Sequence, residues 1–201
     1  MSDFLTQKPV ILASGSFSRK ILLDSLGIKF QVVHSDCDEE AIKKEIISSS
    51  KIELAKILAR HKALAVSERF PEHIVIAADQ LCVIDNDSLD KPGSHAVAIR
   101  HLRLLSGKTH QQISACCIAE KGEVLCQFED TASLTMNELT DEQIESYLLL
   151  DKPYQSCGAY HFEGMAKWLF SHVNGSEDTI RGLPLVPLAN YLLRVGAVTL
   201  R

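Results

Sequence analysis

Pro9-Val10-Ile11-Leu12-Ala13-Ser14-Gly15-Ser16 is a short apolar stretch that breaks into three small residues, and a periodic segment, Arg19 to Leu26, follows it and ends at Gly27. An apolar run of this length reads as a buried strand, the small residues as a turn, and the periodic segment as a helix stopped by glycine. Working outward, Ile28 to His34 reads as a second strand and the acidic cluster Asp36 to Glu40 as a loop. From about Glu45 to Phe70, Ile46, Ile47, Leu54, Ile57, Leu58 and Ala65 fall mainly at helical spacing, which predicts one long helix, with Ser48 to Ser50 as an alternative start. Ile74-Val75-Ile76-Ala77-Ala78 reads as a buried central strand with Asp79-Gln80 at its carboxyl end before Leu81 to Ile84 resumes, and Asp85 to Ser88 as a turn. Ser94 can cap a helix that runs to Leu105 and stops at Gly107. Thr109 to Glu120 and Glu123 to Thr135, joined by Lys121-Gly122, predict a long hairpin. Thr140 with Gln143 forms a capping-box signature for a helix ending near Leu150, Trp168 to Val173 reads as a strand, and Pro184 opens a last helix to Arg194. Alternating strands and helices with one long hairpin predict a single α/β domain over residues 1–201, built on a mixed sheet.

The bulk properties bound what such a domain does. The chain has 201 residues, a formal net charge of −5 and no compositionally biased tract, so it is long enough to bury a core and is expected to fold from end to end. A net negative charge argues against nucleic acid or an acidic membrane surface as partner, since binding a phosphate backbone needs a surplus of Lys and Arg. A small anionic substrate stays compatible, because a few cations gathered at one site set the local field. Residues Met1 to Pro9 lack the basic start and apolar stretch of a signal peptide, and no run approaches the roughly 18 apolar residues of a membrane span, so a cytoplasmic protein is expected. Cys37, Cys82, Cys116, Cys117, Cys126 and Cys157 include no CxxC pair, which predicts reduced, structural thiols.

Several residues are candidates for chemistry. A strand feeding a small-residue turn and a helix aims free backbone N–H groups at one point, where the helix dipole also favours negative charge. Ser14, Gly15 and Ser16 give close approach and hydroxyls, and Arg19 lies one turn into the helix, able to fork onto phosphate oxygens; capping alone is the plainer reading. Asp79 sits where ligands of open α/β sheets collect, with a turn residue as the alternative. Lys62 has the look of a surface lysine, and Lys91 precedes Pro92, which holds its backbone extended. The Asp36–Glu40 cluster can face Asp79 to complete an oxygen-rich site for Mg²⁺, or simply be a solvated loop. Gly107-Lys108-Thr109 imitates the end of a P-loop, but Leu102 stands where the first glycine belongs and a helix precedes it. The eight histidines show no ligand pair such as HExxH, which argues against a histidine zinc site.

Taken together, Leu12-Ala13-Ser14-Gly15-Ser16-Phe17-Ser18-Arg19 with Leu22-Leu23, then Asp38-Glu39, Lys62-Ala63, Ala78-Asp79-Gln80, Lys91-Pro92, Leu105-Ser106-Gly107 with His110, Cys157-Gly158-Ala159-Tyr160, Glu163-Gly164 and Gly182-Leu183-Pro184-Leu185 resemble the Maf family. The resemblance implies a nucleoside triphosphate pyrophosphatase that releases a monophosphate and pyrophosphate with a divalent cation (Mg, Mn or Co) and forms a homodimer. The implied fold is inosine-triphosphatase-like α/β, an elongated twisted mixed sheet with flanking helices in two lobes around a cleft. Carried over by position, Asp79 is the proton acceptor and a metal ligand, Glu39 a metal or water-positioning carboxylate, and Arg19, Lys62 and Lys91 hold the phosphates with Ser14 and Ser16. Members with Asp-Thr after the strand are associated with dTTP and UTP. Asp79-Gln80 resembles the 7-methyl-GTP branch, whose specificity positions fall on Ser18, Gln80 and Glu163. A carboxylate at 163 suits a guanine edge, because it can accept from both N1–H and N2–H. That branch carries Pro followed by an aromatic residue where this chain has Phe17-Ser18, so a stacking surface for a cationic base is lost at Ser18. The alternatives are the same reaction on pyrimidine nucleotides, or a catalytically silent nucleotide-binding regulator of cell division.

Overall fold

The computed structural model of the chain describes residues 5–46 and 50–199. In chain order its elements are β1 (Leu5–Thr6), β2 (Val10–Leu12), α1 (Phe17–Asp24), β3 (Gln31–Val32), α2 (Glu39–Glu45), α3 (Lys51–Ser67), β4 (Ile74–Ile84), β5 (Asp87–Leu89), α4 (His95–Leu105), β6 (Thr109–Glu120), β7 (Glu123–Met136), α5 (Asp141–Asp151), β8 (Phe170–Asn174), α6 (Glu177–Ile180), α7 (Leu185–Arg194) and β9 (Val198–Thr199). Short 3-10 turns at Cys157–Ala159 and Met165–Leu169 lie between α5 and β8. The main sheet has the order β3-β2-β4-β6-β7-β8, with β5 on β4, while β1 and β9 pair separately. β2 runs parallel to β3 and β4, whereas the β4–β5 and β7–β8 pairs are antiparallel, so the sheet is mixed.

Contacts within the chain divide it into two compact units, one of residues 1–79, 114–130 and 182–201 and the other of residues 80–113 and 131–181. The first unit packs Leu12, Leu23, Ile76, Ile118, Leu183 and Leu188, among others, into one core. The second has its own core, in which Leu102, Leu105, Leu134, Met136, Ile144 and Leu148 are buried. Among the described residues no helix is long and apolar enough to cross a membrane.

Local chemistry sets the element boundaries. Ser16, Asp38, Ser50, Ser94 and Thr140 each accept a hydrogen bond from a first-turn backbone N–H of the helix they precede, and Thr140 and Gln143 complete a reciprocal capping box. Lys121 and Gly122 have φ of 55° and 75°, the left-handed pair of a tight two-residue hairpin turn that matches strand twist.

Several expectations need correction. The helix predicted from about Glu45 to Phe70 is α3, which opens at the alternative start with Ser50 as its cap, while a separate helix, α2, runs from Glu39 to Glu45 behind an Asp38 cap and leaves Ile46 non-helical. Ile47 to Ser49, including most of the alternative start, lie outside the described residues. Of the acidic cluster, Asp36 to Asp38 stay outside the helix as a loop and cap, while Glu39 and Glu40 lie in the first turn of α2, where the dipole favours them. The strand predicted from Ile28 to His34 shrinks to two exposed residues at the sheet edge. Asp79 does not end a strand: β4 continues unbroken, and Asp79 is the sixth of its 11 residues. The last predicted strand starts later, at Phe170, and Trp168 falls in the preceding 3-10 turn, 83% exposed.

Candidate active site

The turn after β2 is organised around one hydroxyl. Ser14 Oγ, on a buried residue, accepts from the Ser16 backbone N–H at 3.2 Å and from Arg19 Nη1 at 3.3 Å. Ser16 in turn caps α1 by accepting from Arg19 N at 3.4 Å. Arg19 Nε donates to the Gly182 carbonyl at 2.8 Å, which ties the start of α1 to the glycine preceding Leu183-Pro184. A guanidinium has five N–H donors in a fixed fork, so these two bonds orient it without exhausting it. Ser18, one residue away, has a buried hydroxyl that finds no hydrogen-bond partner.

A second cluster lies in the same unit. Lys62, on α3, is buried rather than on the surface, and its ammonium bridges two carboxylates, Asp79 Oδ1 at 2.5 Å and Glu39 Oε1 at 2.8 Å. The side chains of Lys62 and Asp79 are 9% and 7% exposed, while that of Glu39 is 44% exposed. This pairing explains how a carboxylate occupies the middle of a buried strand, since an unpaired charge there would carry a large desolvation cost. Among the described residues no three or more His, Cys, Asp or Glu side chains gather as a metal site. Two converging carboxylates nevertheless fit a hard divalent cation of the Mg²⁺ type, which completes its shell with water and phosphate oxygens.

The second unit holds the remaining candidates. Gln80 follows Asp79 on β4, so the two side chains leave opposite faces of the strand. Its amide donates to the Ile180 carbonyl at 2.6 Å and the Thr179 carbonyl at 3.5 Å. Glu163 Oε2 lies 3.9 Å from Arg181 Nε, which anchors the carboxylate electrostatically rather than by a hydrogen bond. Lys91 is exposed, just before the buried Pro92. His110, on β6, and Gln112 converge on the Tyr160 hydroxyl, each at 2.8 Å, in a fully buried network. Burial alone pushes the His110 imidazole down to about 4.

The sequence placed neither Arg181 nor His34 among the candidates. Arg181 gave no signal beyond its nearness to Gly182. The His34 ring lies against Gly15, where a Cβ would come within 2.6 Å of His34 Cε1, and the sequence trace of that contact is a glycine between two serines. None of the six cysteines is in a disulfide. Burial pushes the Cys82 and Cys116 thiols far up and Cys117 up to about 12, so these are inert packing groups.

Comparison with known proteins agrees with this arrangement of motifs. The Maf-like protein family model matches residues 9–195. A nucleoside triphosphate pyrophosphatase of Legionella pneumophila strain Paris is 54% identical over 198 residues, covering 98% of this chain and 99% of that protein. One of the same name from Rhodopseudomonas palustris strain BisB18 is 39% identical over 194 residues, 96% of each chain. A HAM1 protein from Coxiella burnetii superposes with a TM-score of 0.42 at 15% identity, over 94% of this chain and all of that one. With the family model matching residues 9–195 and relatives of this identity aligned over almost the whole chain, the chain belongs to the Maf-like protein family.

Proposed function

We propose that this protein hydrolyses a nucleoside triphosphate between the α- and β-phosphates, releasing the monophosphate and pyrophosphate. The observation that carries the reading is the buried Lys62 ammonium held between Asp79, in the middle of a mostly apolar strand, and Glu39. The printed names of the curated relatives support it.

In this mechanism Asp79 takes the proton from the attacking water. Its Oδ1 is engaged by Lys62, so Oδ2 is the oxygen that orients the water. As the water oxygen bonds to the α-phosphorus, the bond from that phosphorus to the bridging oxygen breaks and its electron pair leaves with pyrophosphate. Charge grows on the equatorial and leaving oxygens, where cations give most of the acceleration. Arg19, with Ser14 and Ser16, grips phosphate oxygens at the turn, and Lys62 and Lys91 add positive charge. Glu39 and Asp79 would hold a divalent cation, which when bound supplies Lewis-acid stabilisation of the phosphate oxygens and a more acidic water.

For the base, the proposal is a modified guanine of the 7-methyl-GTP kind. Asp79-Gln80 and the carboxylate of Glu163 support it, the latter 31% exposed and oriented by Arg181. The family resemblance further supports a homodimer working in the cytoplasm.

The test is a panel of 7-methyl-GTP, GTP, dTTP, UTP and other nucleotides with Mg²⁺, Mn²⁺ or Co²⁺ and identification of products. Stoichiometric pyrophosphate is expected, and Asp79→Asn should lower kcat at least about a hundredfold. Orthophosphate as the first product, or binding without turnover under every metal, would sink the reaction assignment. If pyrimidine nucleotides have the highest kcat/KM and Glu163→Gln leaves the ranking unchanged, the base assignment fails while the reaction stands.

A further inference from the structure

We propose that His34 is an additional polyphosphate-binding residue of the Ser14–Arg19 turn, seated there because residue 15 is glycine. The proposal rests on the pyrophosphatase reading of that turn and names a side chain which the reading itself does not include.

The placement follows from the sheet. β2 and β3 are parallel with Leu12 opposite Val32, and Val33 N donates to the Leu12 carbonyl at 3.1 Å. Continuing that register brings His34 level with Ser14, at the end of β2 where the turn begins. The imidazole then fills the space a side chain at position 15 would need: an ideal Cβ there would lie 2.6 Å from His34 Cε1, 3.0 Å from Nδ1 and 3.7 Å from Nε2. Gly15 does not have the positive φ that calls for glycine elsewhere in this chain, as at Gly107 or Gly158. Backbone conformation therefore leaves position 15 open to other residues, and it is the ring of His34 that a side chain there would have to displace.

The chemistry of the pair matches the turn. Ser14 and Ser16 present hydroxyls and α1 presents its N-terminal amides, so the ring stands beside a group of donors with an N–H of its own. His34 is exposed, so the imidazole reaches ligand without the fold having to open. A donor at that point suits the oxygens of a polyphosphate chain, and it acts on substrate, on a non-hydrolysable analogue and on pyrophosphate alike. Such binding is uniform between ground and transition state, which predicts an effect on KM with little on kcat.

The test uses the full chain and two readouts: steady-state kinetics on the best nucleotide of the panel, and calorimetric binding of inorganic pyrophosphate and of an α,β-methylene triphosphate analogue. His34→Ala should raise KM and the analogue Kd about tenfold, the worth of one hydrogen bond to a charged group, with kcat within about twofold. His34→Gln should recover part of the loss and His34→Phe none, which separates donation from packing. Gly15→Ala should raise the same constants by displacing the ring, and should add nothing in the His34→Ala background, where the ring is gone. Parental binding by His34→Ala, rescue by His34→Phe, or Gly15→Ala and His34→Ala effects that multiply would each overturn the proposal. If the parent chain hydrolyses nucleotide and only the His34 variants match it, this inference alone is lost; if the parent neither binds nor hydrolyses any nucleotide, the reading of the turn falls and this falls with it.

Discussion

Replacing Lys62 by Met removes the ammonium and keeps most of the aliphatic stem, so it isolates the charge. In the parent, Lys62 Nζ is 2.5 Å from Asp79 Oδ1 and 2.8 Å from Glu39 Oε1. The two contacts are unequal in worth. Glu39 is 44% exposed and recovers hydration when its partner leaves, so its share is at most about 1 kcal/mol. Asp79 is 7% exposed and stays in the middle of β4, and removing one partner of a buried pair costs about 3–5 kcal/mol because the other charge is stranded. Taking the lower end, Lys62→Met should destabilise the protein by about 3 kcal/mol, which for a chain of this size is a fall of roughly 6–12 °C in Tm. The diagnostic is the double variant. Asp79→Asn removes the stranded charge, so Lys62→Met with Asp79→Asn should be destabilised by less than the sum of the single changes, with a coupling of at least about 1 kcal/mol. Urea unfolding followed by circular dichroism, with thermal melts alongside, measures all three variants against the parent. Effects that add within about 0.5 kcal/mol, or a Lys62→Met variant as stable as the parent, would refute the view of Lys62 as the counter-ion that permits a mid-strand carboxylate.

Two further predictions concern the second unit. His110 is held neutral by burial, with its titration moved down from 6.5 to about 4. A proton therefore binds the unfolded chain more readily than the folded one between those values, so the contribution of His110 to stability is complete above pH 6.5 and is lost as pH falls toward 4. At pH 5 the loss is about 2 kcal/mol, and melts of the parent and of His110→Phe from pH 7.5 to 5 should diverge by that amount, whereas parallel curves would contradict it. Gly175 has φ of 132°, and a Cβ there would meet Ala132 Cβ at 2.5 Å and Ala132 Cα at 2.7 Å. Gly175→Ala pushes against backbone that cannot swing aside, so a loss of about 2–4 kcal/mol is expected in urea unfolding, and a neutral substitution would show that the β7–β8 contact relaxes easily.

The elements legible in the sequence were those with local punctuation. Thr140 with Gln143, Ser94 with Gly107, and Lys121-Gly122 each carry their boundary in the residues themselves, and α5, α4 and the β6–β7 hairpin lie where that chemistry puts them. What was not legible depends on residues distant in sequence. The apolar run that resumes at Leu81 does not say that the strand passes unbroken through Asp79, because what permits that is Lys62, 17 residues earlier on a helix. The same contact hid Lys62, which reads as a surface residue until its partners are seen. The helix read from about Glu45 opens instead at its alternative start, because the Ser50 cap rather than the apolar spacing sets where α3 begins. Of the candidate site, Ser14, Ser16 and Arg19 form one bonded group and Glu39, Lys62 and Asp79 another within the first unit. The roles given to them, and to Ser18, Gln80, Lys91 and Glu163, rest on the reaction proposed above.

The order in which a ribosome delivers this chain runs against the usual sequence of events, in which the N-terminal part of a protein matures first. Leu183, Leu185, Leu188, Tyr191 and Leu192 belong to the core that also contains Val10, Leu12 and Leu23, so the earliest strands wait for the last helix before their apolar faces are covered. The second unit contains no residue beyond 181 and is interrupted in sequence by residues 114–130, which belong to the first. A nascent chain paused before Gly182 thus carries every residue of the second core, while the strand that holds Asp79 still lacks part of its packing on the first.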